Sequence, residues 1–283
     1  MSARFMPELE IPAADGVNLK AVVFEHPTAT GVAIIHGATG VPFRYYAAFA
    51  EWYSGETGRH VYIYEYRDSG PLNRTQIRAS KVTMADWGIL DQSAVLDHAI
   101  ARYPDLPVHT IGHSLGGFCI PFHENAHRIT SHVGVNSGLA YWPRHPWHYL
   151  PQVILFWFVL GPLATLILGY LPGVLLGMKA NLPSGVYWQW RRWCTNERLH
   201  EIDWGTRLPM PDPGKFTGDL IIVGASDDAI IPWERVTILD RFFPNAQSVE
   251  RVLLDPANYG LNTIGHIAIF SPAKSATWKQ LIR

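Results

Sequence analysis

The chain has 283 residues, 48% hydrophobic and 17% charged, which is enough apolar material for one large core and too little charge for a disordered polymer. Its formal net charge of −1 supplies no overall field to gather nucleic acid or an acidic membrane, and no nucleic-acid partner is expected. Two cysteines, Cys119 and Cys194, make no disulfide framework at this length, and MSARFMPELEIP lacks the apolar stretch of a secretory leader, so the expected location is cytoplasmic.

In chain order, Asp15-Gly16 marks a turn and Leu19 to Phe24 alternates, which predicts an opening hairpin. Val32-Ala33-Ile34-Ile35 differs in kind, a continuously apolar run ending in His36-Gly37, as expected of a strand buried on both faces. The pattern returns at 61–64, 108–111, 132–135 and 220–223, and less purely at 249–254. Segments of helical length and period lie between, at 45–53 and at 86–103, the latter with Trp87, Leu90, Val95 and Ala99 near one face. Such alternation predicts a mostly parallel sheet covered on both faces by helices. It breaks at 141–208, a stretch rich in Trp, Pro and Leu, which reads as a helical cap inserted into a core formed by 1–140 and 209–283.

The strand at 108–111 runs into Gly112-His113-Ser114-Leu115-Gly116, a Gly-x-Ser-x-Gly turn followed by an expected helix. A serine on such a turn stands its hydroxyl above the sheet edge, and side chains at 112 and 116 would obstruct the turn. The first N–H groups of the helix would favour negative charge beside it. The bare pattern is common by chance, and the strand before it and the helix after it raise Ser114 above a bystander serine.

Chain order narrows the partners, because an acid and then a histidine follow the serine in this arrangement. Of thirteen histidines only His266 lies beyond His200, in a loop past the last strand where a base could reach Ser114. For the acid, Asp227-Asp228 follows the strand at 220–223, and the Asp-x-x-Ile-Pro spacing favours Asp228, with Asp227 the alternative. The other position for an acid, after the preceding strand, reads Asn136-Ser137. The loop His36-Gly37-Ala38-Thr39-Gly40 is expected to aim the Ala38 N–H opposite that of Leu115, so that the two form an oxyanion hole. A plain glycine turn is the other reading of that loop.

These motifs resemble the α/β-hydrolase superfamily over nearly the whole chain, and more closely a group of predicted bacterial serine α/β hydrolases of esterase and lipase type. The closer resemblance rests on Ala38-Thr39-Gly40-Val41-Pro42, the Tyr66-Arg67 pair, Asp86-Trp87-Gly88, Gly265-His266 and above all the run from Leu182 to Cys194. It implies an α/β fold with a mostly parallel eight-stranded sheet, helices on both faces and an inserted helical cap. Two departures stand out. Asp68 occupies the place after Tyr-Arg where such proteins carry glycine, and Ile267-Ala268-Ile269-Phe270 replaces a second glycine and further aromatics.

Several features compete with this reading. His123-Glu124-Asn125-Ala126-His127 spells a zinc-protease pattern, but on a helix starting at the elbow it would lie about 13 Å from the strand tips. The apolar run 153–171 is long enough to cross a membrane. Gly161-Pro162 is expected to break it into two short cap helices, giving no integral span and leaving peripheral lipid contact open. Cys119 and Cys194 read as buried thiols, His113 as a shaper of the pocket, and Trp188, Trp190 and Trp193 as packing between cap and core. The expectation is a serine hydrolase that cleaves a small-molecule carboxylic ester or thioester, with a lipophilic acyl or alcohol part, through an acyl-enzyme on Ser114, without metal or cofactor. An acyltransferase with the same triad and a catalytically silent binding protein share these residues. A serine at the elbow argues against dehalogenase and epoxide-hydrolase chemistry, which need a carboxylate there.

Overall fold

The computed structural model describes residues 8–282. Most of the N-terminal segment read for a leader lies outside the described residues.

Eight strands form one sheet: β1 (Leu9–Pro12), β2 (Asn18–Phe24), β3 (Gly31–His36), β4 (Arg59–Tyr64), β5 (Val108–His113), β6 (Ile129–Val135), β9 (Asp219–Ala225) and β10 (Ser248–Leu254). β7 (Tyr170–Leu171) and β8 (Leu182–Pro183) pair separately. The order in the sheet is β1-β2-β4-β3-β5-β6-β9-β10. β2 runs antiparallel to β1 and β4, and the other contacts are parallel. β3 and β5, buried along their whole length, are two of the runs that read as central strands. β10 is largely exposed and carries Glu250 and Arg251, charges that keep an edge strand from pairing further.

The chain moves from β3 outward to β4 and then back past β3 to β5. That reversal opens a crevice at the strand tips, where ligands bind in sheets of this kind. Helices α1 (Ala47–Thr57) and α2 (Gln92–Arg102) cover the sheet. α1 ends at Gly58, whose φ of +64° stops the helix and turns the chain into β4. The expected helix at 86–103 begins instead as a π-turn, Asp86–Asp91. This turn buries both Trp87 and Asp91, with Trp87 Nε1–H donating to the Arg67 carbonyl at 2.7 Å and Asp91 accepting from Arg67 Nε at 2.6 Å. A Cβ on Gly88 would lie 2.4 Å from Cys119 Sγ.

Two expectations are corrected. No continuous helix follows the elbow; short 3-10 turns at Ser114–Gly117, Ile120–Phe122 and Ala126–Arg128 replace it. Gly116, Gly117 and Pro121 explain the difference, since the glycines favour an open chain and the proline removes a donor. In the stretch 141–208, the run around Gly161-Pro162 is one helix, Leu150–Leu168, rather than two. A π-turn at Leu155–Leu160 precedes the proline, and the Gly161 N–H bonds back to the Phe156 carbonyl. The widened turn makes room for the proline ring that a regular helix would exclude. The Ser184–Cys194 helix packs onto the core through Gln189, whose Oε1 accepts the Ala85 N–H at 2.8 Å, and through Gly185, where a Cβ would meet the Val82 carbonyl at 2.4 Å.

Candidate active site

Ser114 follows β5 directly with φ of +53°, a left-handed conformation that costs a non-glycine residue about 1–2 kcal/mol. Its glycine neighbours are required by contact. A Cβ on Gly112 would lie 2.4 Å from the Gly116 carbonyl oxygen, and one on Gly116 would lie 2.2 Å from that of His36. The pairing of His36 with Gly112 sets the loop after β3 beside the elbow. Ser137 Oγ donates to the Ser114 carbonyl at 2.7 Å and holds the turn from the β6 side.

His266 and Asp228, distant in sequence, meet at 2.7 Å between Nδ1 and Oδ2. The other carboxylate oxygen of Asp228 accepts the N–H groups of Ile230 and Ile231 at 2.8 and 3.1 Å. A carboxylate held as an acceptor receives a hydrogen bond from Nδ1–H, which keeps the hydrogen on Nδ1 and leaves the imidazole lone pair on Nε2. Asp227 is used differently: it accepts the N–H groups of Ile264 and Gly265 at 2.8 and 3.0 Å and so anchors the loop that carries His266. Between the two aspartates, Asp228 is the one that reaches the imidazole.

Among the described residues the Ser114 hydroxyl has no hydrogen-bond partner, so the serine and the histidine are joined through their neighbours' contacts. The His266 carbonyl accepts from His113 Nε2 at 2.9 Å and from Asn136 Nδ2 at 3.0 Å. Asn136 Oδ1 in turn accepts the Ala225 N–H at 3.0 Å. Asn136 therefore ties the ends of β6 and β9 to the histidine loop. The sequence reading passed over it for lack of a carboxylate. An asparagine just past a buried strand was the available signal, because asparagine tolerates the left-handed φ of +45° found there.

The loop after β3 departs from expectation. The Ala38 N–H is donated to Tyr46 Oη at 2.9 Å, so it is not free for an oxyanion. The hydrogen of that hydroxyl goes to His113 Nδ1 at 2.8 Å, which fixes His113 with its proton on Nε2, facing the His266 carbonyl. Burial pushes the Tyr46 hydroxyl well above and the His113 imidazole well below their ordinary pKa values, keeping both neutral. His113 is thus a structural link. Thr39, one residue beyond Ala38, lines the cavity above Ser114 together with Leu115.

That cavity has a volume of about 20 Å³ and is lined by Trp190, Trp193 and Leu199 from the stretch 141–208. Trp190 and Trp193 do more than fill packing space, since both line this cavity with Ser114. Trp193 Nε1–H donates to the buried Asp203 at 2.7 Å. A larger cavity, about 800 Å³, lies on the far side of the loop after β3, beside Tyr66, Asp68 and Lys179; Ser114 does not line it.

The remaining sequence candidates supply no reacting group, although Cys194 lines the small cavity with Ser114. His123 Nε2 donates to the Gly88 carbonyl at 2.8 Å and Glu124 pairs with Lys215. His123 and His127 belong to separate turns, so the two imidazoles share no helix face. Cys119 and Cys194 are buried, and burial pushes both thiols up and away from thiolate.

No protein-family model matches the chain, and no curated protein matches it by sequence. Solved structures do. A soluble variant of the monoglyceride lipase of Saccharomyces cerevisiae, in complex with a substrate analogue, aligns at TM-score 0.65 and 14% identity over 99% of this chain and 96% of that one. An esterase of Pyrococcus furiosus aligns at TM-score 0.61 and 14% identity over 98% and 88%. A bromoperoxidase of Bacillus anthracis aligns at TM-score 0.53 and 15% identity over 97% and 98%. Identity this low carries architecture and leaves the reaction to the residues of each site. With its eight-stranded, mostly parallel sheet and surrounding helices, the chain has the α/β-hydrolase fold.

Proposed function

We propose that the chain is a serine hydrolase of carboxylic esters or thioesters with a lipophilic acyl or alcohol part. The observation that carries this reading is the 2.7 Å contact of Asp228 with His266, on a loop fastened to the residue beside Ser114. The esterase and lipase among the structural neighbours support it as well.

In the proposed reaction His266 Nε2 accepts the Ser114 proton as Oγ attacks the substrate carbonyl, and Asp228 steadies the imidazolium. The carbonyl oxygen becomes an oxyanion that accepts the N–H groups of Leu115 and, in place of Ala38, Thr39. Loss of one such donor costs about 100- to 1,000-fold in rate. Collapse of the tetrahedral intermediate expels the alcohol or thiol with the proton from His266. Water, deprotonated by the same nitrogen, then attacks the acyl-enzyme and releases the acid and Ser114.

The stretch 141–208 acts as the cap in this reading. Space for about one water above Ser114 means that Trp190 and Trp193 move when substrate binds. A fluorophosphonate probe should add its mass to Ser114, and an ester and thioester panel should be turned over by the wild type and not by Ser114→Ala. Absence of labelling in well-folded protein would remove the proposal. The dry, apolar roof also suits transfer of the acyl group to an alcohol, and product analysis with added alcohol separates that reaction from hydrolysis.

A further inference from the structure

The Leu150–Leu168 helix is only 22% buried over its most apolar window. Its buried positions, Val153, Trp157, Gly161 and Thr165, recur every four residues and form one narrow stripe against the protein. The helix carries no charged residue, and both flanks and the outer face are apolar. Leu166 and Ile167 are 71% and 76% exposed, Leu175 on the neighbouring Gly173–Leu176 turn is 82% exposed, and Trp147 before the helix is 85% exposed. A surface helix of a soluble protein normally pairs one apolar stripe with a polar face. This one is apolar nearly all round, and protein covers one side only.

Charge around the helix is distributed unevenly. Residues 141–196 contain Arg144, Lys179, Arg191 and Arg192 and no carboxylate, and residues 69–85 contain Arg74, Arg78 and Lys81 and no carboxylate. The two segments meet where Arg78 Nε donates to the Leu168 carbonyl, and within 141–196 Arg191 Nε donates to that of Trp157, both at 2.6 Å. Guanidinium groups therefore sit at the helix edge, while the rest of the chain holds the negative charge that brings the total to −1. Arg144 and Arg192 pair with Glu197 and Asp203, so Arg78 and Arg191 carry the positive edge of the apolar face.

We propose that the Leu150–Leu168 helix and the Gly173–Leu176 turn form a docking surface for an anionic lipid bilayer, with the helix lying in the plane of the interface. Apolar side chains on three sides of a helix fit immersion among acyl chains, whereas a second protein surface would cover one side. The cations suit acidic headgroups, and Trp147 at the helix entrance suits the headgroup level. The stripe of contacts to the core holds the helix along the protein, so it lies on the bilayer rather than across it. The surface is independent of the Ser114 chemistry, and binding is measured without turnover.

The test is flotation of the full-length chain with vesicles of phosphatidylcholine alone and of phosphatidylcholine with a quarter phosphatidylglycerol, alongside light scattering in solution. The wild type and Ser114→Ala should float equally with the anionic vesicles, more weakly with neutral ones, and more weakly at high salt. The triple variant Leu166→Asn, Ile167→Asn, Leu175→Asn changes exposed positions only. It should keep the wild-type melting temperature and lose at least about tenfold in partitioning. Wild-type protein that stays in the aqueous phase overturns the proposal, as does a triple variant that floats unchanged. A concentration-dependent dimer that the triple variant abolishes, without vesicle binding, assigns the face to a second copy instead.

Discussion

The hydroxyl of Tyr46 stands 2.8 Å from Nδ1 of His113, and through that pair three loops of the site are joined in one directed chain of hydrogen bonds. The Ala38 N–H donates to Tyr46, Tyr46 to His113, and His113 to the carbonyl of His266. Each member can point only one way, so the loop after β3, the end of β5 and the histidine loop are set relative to each other before any substrate arrives.

Tyr46→Phe should therefore do more than remove a hydroxyl. It leaves the Ala38 N–H and His113 Nδ1 buried without partners, at a cost of about 1–3 kcal/mol each. The expected result is a lower urea midpoint together with a fall in kcat/KM, because the donors around Ser114 lose their alignment. Unchanged stability with unchanged activity would show that the chain of bonds does not position the site.

The two adjacent aspartates should separate cleanly. Asp228→Asn presents an amide where His266 needs an acceptor and favours the wrong tautomer, so kcat should fall by about 10⁴ while the fold survives. Asp227→Asn weakens the anchor of the 264–265 backbone and should lower kcat far less, with a drop in melting temperature. Equal losses in the two variants would contradict the assignment.

Six buried histidines make an acid-stability prediction. Burial pushes His109, His123 and His132 down to about 4, His200 to about 3, and His36 and His113 well below their ordinary value. In the unfolded chain each titrates near about 6.5. Between about pH 6.5 and 4 the unfolded state binds protons that the folded state refuses, so stability rises with pH through that window and levels off above it. Each group contributes up to about 1.4 kcal/mol per pH unit. Melting temperatures should be nearly flat above neutrality and fall steeply below about pH 6. A flat profile down to about pH 5 would mean that these side chains are reached by water.

Asp68 holds φ of +51° while its carboxylate accepts from Ser80 Oγ at 2.6 Å. The glycine that the resemblance placed after Tyr66-Arg67 is thus replaced by one of the few residue types that tolerate this conformation. Asp68→Gly should stay within about 1 kcal/mol of the wild type, trading strain relief against the lost hydrogen bond. Asp68→Val should cost about 1–2 kcal/mol or more. Urea titrations decide, and a valine variant as stable as the glycine one would count against the conformational account.

Much of this arrangement was legible in the sequence because it depends on position along strands. Short runs marked β3, β5 and β9, and Ala38, Ser114 and Asp228 follow their ends closely, while His266 lies in the loop after β10. What stayed hidden depends on contacts and local geometry that exist only once the chain is folded. Nothing in His36-Gly37-Ala38-Thr39 says that Ala38 is already bonded, because its acceptor is a tyrosine on another element. Asn136 carries no charge to attract attention, and its role exists only once β6 lies against β9. Gly161-Pro162 looked like a break because a regular helix cannot hold it; a local widening of the helix is not written in the residue pattern.

The indole rings of Trp190 and Trp193 form the ceiling over Ser114. In the proposed reaction the substrate displaces them, changing what surrounds two of the chain's eleven tryptophans. Their emission is then a built-in reporter. Rapid mixing with a non-hydrolysable ester analogue would let the protein's own fluorescence time how fast the roof gives way, with no label attached.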